Sequence, residues 1–237
     1  ISAAPSAPTP SPTLEASAPP PSPSVGPETP PIIDPADFSA GVANPWFPLV
    51  PGTTRRYRGS SGGEPAREVV RITSATKMIE GVPCVIVHDT VFIGGKLAED
   101  TFDYYAPDNL GNVWYFGEDT AEYNKRGRVV STEGTWQAGV DGASAGVFMQ
   151  ADPVVGQTVQ QEYFAGHAED YAVVLFMDAS VRVPYGKQTG VMVTGEWTPL
   201  EPGVVGEKWY GKDIGELKEA DVVGGDESYA LVSVSHN

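Results

Sequence analysis

Three carboxylates on consecutive predicted strands are the side chains best placed for chemistry in this sequence. Asp89, Asp100 and Glu118 lie in runs of alternating residues that are separated by short turns. A two-residue turn at residues 94–95 predicts that Asp89 faces Asp100, and a longer turn at residues 107–111 predicts that Asp100 faces Glu118. Regular alternation then places the three side chains in one row on one face of a sheet.

A row of three like charges needs a physical reason, because directly opposed carboxylates destabilise a sheet. One reason is a bound hard cation, which makes Asp89, Asp100 and Glu118 a candidate metal site and Ca²⁺ the one candidate cofactor. Another is a carboxyl group that keeps its proton, with a raised pKa and a role in acid–base chemistry. Two alternatives need no function: the row lies at a sheet end, where water or a basic neighbour screens it, or a one-residue slip of register disperses it. The sequence leaves these interpretations open.

Aromatic residues form the second candidate site. The same pairing places Tyr104, Trp114 and Phe116 in an apolar patch next to the carboxylate row. Trp46 and Phe47 lie in an extended segment between prolines, and we expect their rings to fasten this segment to the sheet. These five residues are candidates for contact with a ligand or partner, although the rings of a curved sheet also fill its core.

Sequence signatures of common enzyme classes are absent. The chain has no Gly-x-Ser-x-Gly, phosphate-binding-loop, His-Glu-x-x-His or Cys-x-x-Cys motif. A carboxylate-dependent secreted hydrolase would instead need two carboxyl groups about 5–9 Å apart in an open cleft. The candidate pairs are Asp100 with Glu118 and Glu162 with Asp170. Without a further catalytic signature, the sequence favours a protein that is not an enzyme.

The elements that carry these residues are predicted to be β-strands. The 27 Gly and 22 Pro interrupt the sequence too often for long helices, and turn residues bound its short runs of Val, Thr, Tyr, Phe and Trp. Because strand follows strand through short turns, we predict an all-β fold. It is an antiparallel meander that forms a strongly curved sheet, an open barrel or a two-sheet sandwich. The predicted strands cover residues 53–58, 68–79, 82–93, 96–106, 112–118, 127–132, 146–150, 158–164, 171–183, 190–198, 207–210, 215–219 and 228–235.

The first 35 residues differ in composition from the rest. They contain 12 prolines and no Lys or Arg, and Ala, Ser and Thr fill most other positions. Such a segment buries too little apolar surface to offset the entropy of ordering, so we predict a disordered tether over residues 1–35. Residues 36–237 are expected to form a single antiparallel β domain.

The net charge and the cysteine content limit the possible partners and cellular locations of the protein. The net charge of −16, from 15 basic and 31 acidic residues, argues against a nucleic-acid or anionic-lipid partner. No apolar run is long enough to span a bilayer. Cys84 is the only cysteine, so an internal disulfide cannot form, and its apolar strand predicts a buried thiol. With the tether, these features lead us to expect an extracytoplasmic protein, secreted or anchored at the bacterial cell surface, with an N-terminal lipid anchor as a hypothesis.

Three stretches carry a resemblance to known proteins. They are residues 44–53, NPWFPLVPGT, residues 111–120, GNVWYFGEDT, and residues 197–203, WTPLEPG. The sequence resembles a set of exported bacterial β-rich domains that are uncharacterised and in part lipoproteins, over most of the predicted domain and none of the tether. No activity is established for that set, so the resemblance implies a fold and a location but no site residues.

Three functions from different classes are compatible with these features. The leading one is a non-enzymatic binding or assembly module, tethered to the cell surface or secreted, with a protein partner at the cell surface. The second is a carrier or sensor that holds an apolar ligand within the curved sheet. The third is the carboxylate-dependent hydrolase described above.

Overall fold

A computed structural model describes residues 31–236 of the chain. These residues form 15 β-strands and one short 3-10 helix, Pro35–Phe38. Among them there is no helix long and apolar enough to span a membrane. The strands are β1 (Thr53–Ser61), β2 (Glu64–Ile79), β3 (Val82–Ile93), β4 (Lys96–Pro107), β5 (Val113–Tyr123), β6 (Val129–Ser131), β7 (Trp136–Gln137), β8 (Ser144–Met149), β9 (Thr158–Gln160), β10 (Glu162–Tyr163), β11 (Tyr171–Val183), β12 (Gly186–Trp197), β13 (Val205–Gly211), β14 (Gly215–Val223) and β15 (Ser228–His236).

The strands belong to one large antiparallel sheet. Its hydrogen-bonded order is β10-β8-β5-β4-β3-β2-β1-β15-β14-β13-β12-β11-β9, with β6 and β7 paired to β5. Most neighbours in this order are also neighbours in the sequence, as short turns require. The predicted all-β antiparallel fold is therefore confirmed, as a strongly curved sheet whose two end strands are not paired with each other.

The chain itself brings the two ends of the sheet together. Strands β9 and β10 stand at opposite ends of the order, yet only Gln161 separates them in sequence. The Gln161 amide donates to the Asp170 carbonyl at 2.7 Å, and its side chain donates to the Phe148 carbonyl at 3.3 Å. At Gly146 a Cβ would stand 2.5 Å from the Gln160 carbonyl oxygen, so this approach requires glycine. The sheet must therefore curl, which encloses its inner face.

A bulge in β4 changes the register that the sequence predicts. The turn at residues 94–95 forms as expected, but Ala98 is an extra residue on β4. Asp89 consequently pairs with Thr101, and the predicted pairing of Asp89 with Asp100 is wrong. Because side chains alternate between faces, this one-residue shift sends Asp100 to the outer face.

A second bulge lies in β5. Between the Asp103–Glu118 pair and the Tyr105–Tyr115 pair, two residues of β5 oppose the single residue Tyr104 of β4. Gly117 occupies this bulge with φ of +135°, and a Cβ there would stand 2.3 Å from the Trp136 carbonyl oxygen. The extra residue lets both Tyr115 and Glu118 point to the inner face. The turn that follows β4 also pairs Ala106 with Trp114, where the predicted register pairs it with Asn112, so the predicted opposition of Glu118 and Asp100 is wrong as well.

The segment before β1 packs against the outer face of β5. Phe38 makes edge contacts with Phe116 and Trp114, with ring centroids 5.4 and 6.1 Å apart. The Asn44 side chain, 2% exposed, donates to the carbonyls of Gly111 and Gln150 at 2.9 and 3.0 Å. The outer face of β5 is consequently apolar and covered at Trp114 and Phe116. Of the predicted tether, residues 1–30 lie outside the described residues.

Candidate functional site: an acidic cavity

The inner face of the curled sheet encloses a cavity of about 620 Å³, a size typical of small-molecule sites. Its lining contains 12 of the 31 acidic residues of the chain but only one basic residue, Lys208. The carboxylates are Glu68, Asp89, Glu99, Asp103, Glu118, Glu122, Glu162, Asp170, Glu196, Glu216, Glu219 and Glu227. More than a third of the acidic side chains thus lie in the cavity and not on the outer surface.

On the wall formed by β2 to β5, the acidic wall, the carboxylates occupy three levels. The upper level contains Glu68, Glu99 and Glu122, which the strand register aligns across the sheet. Asp89 forms the middle level, and Asp103 and Glu118 form the lower level. Adjacent levels are two residues apart along the strands, which corresponds to about 6.6 Å. The charges therefore follow a column that runs parallel to the strands.

A tyrosine bridges the two carboxyl groups of the lower level. The Tyr115 hydroxyl lies 2.7 Å from Asp103 Oδ1 and 2.9 Å from Glu118 Oε2. A phenol has one proton, so both contacts are satisfied only when one carboxyl group keeps its own proton. Burial raises the pKa of Asp103 to about 6, and burial with the charge of Asp103 raises the pKa of Glu118 to about 8.

Glu68 and Asp89 form a second pair of interacting carboxyl groups. Burial, reinforced by Asp89, raises the pKa of Glu68 well above its ordinary value, and burial raises the pKa of Asp89 to about 8. Glu68 Oε2 and Asp89 Oδ1 are both buried, and neither receives a hydrogen bond from a donor within residues 31–236. The two groups are close enough to share one proton, which spares the protein two adjacent buried charges.

The wall formed by β12 to β14 contains the one ammonium group of the lining. Lys208 Nζ lies 3.3 Å from Glu196 Oε2 and 3.6 Å from Glu219 Oε2. Although burial acts to lower it, these two carboxylates raise the pKa of Lys208 well above its ordinary value. Lys208 therefore stays charged and neutralises part of the negative charge of this wall. Nearby, burial and the charge of Glu219 raise the pKa of Glu216 to about 8.

The structure brings together one carboxylate pair that the hydrolase hypothesis names. Glu162 and Asp170 both line the cavity, and their carboxyl groups interact. Trp136 Nε1 donates to Glu162 Oε2 at 2.7 Å, while burial and the charge of Asp170 raise the pKa of Glu162 well above its ordinary value. Burial likewise raises the pKa of Asp170.

The three predicted cation ligands are not brought together. Asp89 and Glu118 lie in the cavity, but Asp100 lies on the outer face, where its Oδ1 is 2.6 Å from His88 Nε2. Asp103 takes the position in the acidic wall that the predicted register assigns to Asp100. Within residues 31–236, no group of three His, Cys, Asp or Glu side chains is arranged to hold a metal ion.

Among the five predicted aromatic contact residues, Phe47 lines the cavity. Its ring packs against Tyr105 and Phe148, with centroids 5.1 and 4.7 Å apart. Tyr105 and Phe148 also contact Tyr115, so the four rings form an aromatic floor below the lower carboxylate level.

The other four rings are placed elsewhere. Trp46 is 3% exposed and packs in the core. Trp114 and Phe116 lie on the outer face of β5 against Phe38, and Tyr104 makes a hydroxyl contact with Asp119 on the outer side of the neighbouring strand. The five residues therefore do not form one continuous surface.

Comparisons with known proteins identify no family. No family model matches the chain, and no curated protein matches it. One similar solved structure, from Bacteroides fragilis, is provisionally described as an exported protein with a YmcC-like fold. It has 15% identity, a TM-score of 0.46, and coverage of 81% of this chain and 100% of that one. Another, provisionally described as a lipoprotein from Parabacteroides distasonis, has 11% identity, a TM-score of 0.42, and coverage of 82% and 100%. Both descriptions match the resemblance predicted from the sequence.

Proposed function

We propose that the protein is a non-enzymatic, extracytoplasmic binding module whose acidic cavity takes a cationic ligand. The observation that carries this proposal is the imbalance of charge in the lining, where 12 carboxylates face the single ammonium group of Lys208. Like charges repel strongly in a partly desolvated interior. The free protein limits this repulsion by retaining protons, and a bound cation would remove the need for them.

The chemistry of the lining favours a cation over the apolar ligand of the carrier hypothesis. An acyl chain in this cavity would desolvate ionisable carboxyl groups without offering them a hydrogen bond, which is unfavourable. The aromatic floor of Phe47, Tyr105 and Phe148 lies next to the lower level, and the aliphatic residues of the acidic wall stand among carboxylates, so the lining offers no continuous apolar surface. A cation would instead meet carboxylates at every level of the acidic wall.

The arrangement also favours binding over hydrolysis. Asp100 and Glu118 lie on opposite faces of the sheet, so they cannot act on one bond. Glu162 and Asp170 interact directly, whereas the two carboxyl groups of a glycosidase stand about 5–9 Å apart around the substrate. A single proton-sharing pair is a common result of burying two carboxyl groups and needs no catalytic role.

The extracytoplasmic location is part of this proposal. It rests on the composition of residues 1–35. A proline-rich segment without Lys or Arg suits a spacer between an anchored end and a folded body. An N-terminal lipid anchor and a protein partner at the cell surface are part of the same proposal. Mass spectrometry of the protein isolated from its native host tests the anchor, and an unmodified N-terminus would contradict it.

The proposed function is tested by thermal unfolding with a panel of cations. The panel contains Ca²⁺, butylamine, arginine methyl ester and spermine, at pH 7 and near-physiological salt, where surface charges are screened. We expect at least one cation to raise the Tm of the wild type. The variant Glu99→Gln/Asp103→Asn, which neutralises two cavity carboxylates, should lose this response. The control Asp178→Asn/Glu201→Gln, which neutralises two exposed carboxylates, should keep it.

Two results would contradict the proposal. One is a wild-type Tm that no cation in the panel changes. The other is an equal response in the cavity variant and in its exposed control, because that would place the effect on the general surface charge of the protein.

A further inference from the structure

We propose that the ligand of the acidic cavity is a linear aliphatic polyamine, whose ammonium groups bind at successive carboxylate levels of the acidic wall. This inference rests on the proposed function and names the chemical class of the ligand. It is carried by the spacing of the levels, the apolar residues between them, and buried polar atoms that lack a partner.

The spacing of the levels favours an elongated ligand with several charges. From Glu99 in the upper level to Asp103 in the lower level there are four residues of extended chain, which corresponds to about 13 Å. Asp89 lies between them on the neighbouring strand. A ligand with one charge could meet only one level, whereas ammonium groups joined by short methylene chains could meet all three.

Aliphatic side chains of the same wall suit the methylene segments. Val70, Val87, Val91 and Ile93 line the cavity on β2 and β3 beside the carboxylates. Packing against these residues would bury the alkyl parts of a polyamine, while its nitrogen atoms reach the acidic side chains.

Buried polar atoms in the lining are available to hydrogen-bond donors. Apart from the proton that their carboxyl groups can share, Glu68 Oε2 and Asp89 Oδ1 have no hydrogen-bond donor within the described chain, and both side chains line the cavity. Buried polar groups normally have partners, so these atoms mark places where a ligand would supply them.

Lys208 shows within the protein how an ammonium group fits this cavity. Its Nζ lies between Glu196 and Glu219, at 3.3 and 3.6 Å from their oxygens, so one nitrogen serves two carboxylates. The acidic wall has carboxylates but no such nitrogen of its own. A primary or secondary ammonium group would supply there the contact that Lys208 supplies on the opposite wall.

Two other classes of cation fit less well. A hard metal ion needs six to eight oxygens converging at about 2.3–2.6 Å, but the acidic-wall carboxylates are distributed over three levels, and no metal-holding group was found among residues 31–236. A quaternary ammonium ion has no N–H group for Glu68 and Asp89 and is usually held by an aromatic cage. Here the rings of Tyr105 and Tyr115 stack on each other at the floor, with centroids 4.6 Å apart.

The test is isothermal titration calorimetry of the full chain with spermine, butylamine, arginine methyl ester and Ca²⁺ at pH 7 and near-physiological salt. We expect spermine to bind at least about tenfold more tightly than butylamine, because it meets several levels at once. Glu99→Gln/Asp103→Asn should weaken spermine binding by about tenfold or more. Asp178→Asn/Glu201→Gln should leave spermine affinity within about twofold of the wild type.

Thermal unfolding separates a binding defect from a folding defect. Because Glu99→Gln/Asp103→Asn removes repulsion between neighbouring carboxylates, its unliganded Tm should equal or exceed that of the wild type. If the double variant is less stable than the wild type, Lys208→Gln serves as a second test. This substitution removes the counter-ion of Glu196 and Glu219 and should therefore tighten spermine binding. A gain of affinity cannot result from partial unfolding.

The outcomes distinguish this inference from the proposed function. Butylamine, Ca²⁺ or arginine methyl ester binding at the cavity as tightly as spermine would overturn the polyamine assignment and leave the cationic site standing. Spermine binding that is unaffected by the cavity substitutions would overturn the assignment as a surface effect. No binding by any of these cations would overturn both proposals.

Discussion

The two walls of the cavity hold buried carboxylates in different ways. On the wall of β12 to β14, Lys208 compensates Glu196 and Glu219, which lie within 3.3 and 3.6 Å of its Nζ. On the acidic wall no basic side chain reaches the lining, and Asp89 and Glu118 have pKa values raised by burial to about 8. The wall of β12 to β14 thus contains a counter-ion, although its Glu216 also retains a proton, whereas the acidic wall retains protons and has no counter-ion. This difference indicates that the acidic wall, and not the cavity as a whole, is where a cation would bind.

The largest expected effect is a loss of stability as the pH rises. The folded protein keeps protons on Asp89, Glu118 and Glu216 up to about pH 8, whereas the unfolded chain loses them near pH 4. Because the folded state binds more protons between these values, its stability falls as the pH increases through this window and levels off above it. We expect the Tm at pH 9 to be roughly 10 °C below that at pH 5.

Calorimetry or circular dichroism across this range measures the effect. A Tm that rises from pH 5 to pH 9 would contradict this account. It would mean that the buried carboxylates are charged at pH 9 without cost, although the acidic wall has no basic group to neutralise them. Spermine should reduce the fall in Tm, because it replaces the lost protons as the source of positive charge.

The next effect concerns the compensated wall. Lys208→Met would leave Glu196 and Glu219 without their counter-ion and should lower the free energy of unfolding by about 2 kcal/mol, below the range for a fully buried pair because the three side chains are 14–28% exposed. Lys187→Met, at an exposed position on β12, should change the free energy by less than about 0.5 kcal/mol. Urea unfolding at pH 8 measures both. Equal losses of free energy of unfolding in the two variants would contradict the role of Lys208 as the counter-ion of Glu196 and Glu219.

An opposite effect is expected on the acidic wall. At pH 9, Asp89→Asn removes a buried negative charge beside Glu68 and offers Glu68 a donor, so it should raise the free energy of unfolding by about 1 kcal/mol. At pH 5, where Asp89 is already neutral, the gain should disappear. Urea unfolding at the two pH values measures this difference, and a loss of stability at pH 9 would contradict the proton-sharing pair.

The smallest effect is expected at Asp100, the carboxylate that was predicted from the sequence to face Asp89. Asp100 lies on the outer face, paired with His88 at 2.6 Å and partly exposed. Asp100→Asn should therefore change the free energy of unfolding by no more than about 0.5 kcal/mol, and spermine affinity by no more than about twofold. A large effect on spermine binding would instead support the predicted row of Asp89, Asp100 and Glu118.

Local patterns in the sequence predict the strands well. Turns at residues 80–81 and 94–95 bound β3, whose predicted and observed limits agree, as do those of β11. Strand β7, Trp136–Gln137, was not predicted because two residues carry no alternation. The predicted strand 158–164 is divided at Gln161, where the chain passes from one end of the sheet to the other, which is a long-range property.

The candidate site is only partly predictable for the same reason. Asp89 and Glu118 line the cavity, but the bulges at Ala98 and Gly117, with the register of the turn between β4 and β5, replace Asp100 with Asp103. A glycine within a strand is a recognised sign of a bulge, so Gly117 was a usable signal, whereas Ala98 carries none. The opposite wall could not be predicted, because no local pattern in a strand reveals which distant strand its inner face will meet.

The most direct test of this account is an NMR titration of the side-chain carboxyl carbons in the unliganded protein. We expect Asp89 and Glu118 to titrate near pH 8, and spermine to shift both titrations to lower pH. If both residues titrate below pH 5 without a ligand, the acidic wall is already compensated, and neither retained protons nor a bound polyamine is needed to explain it.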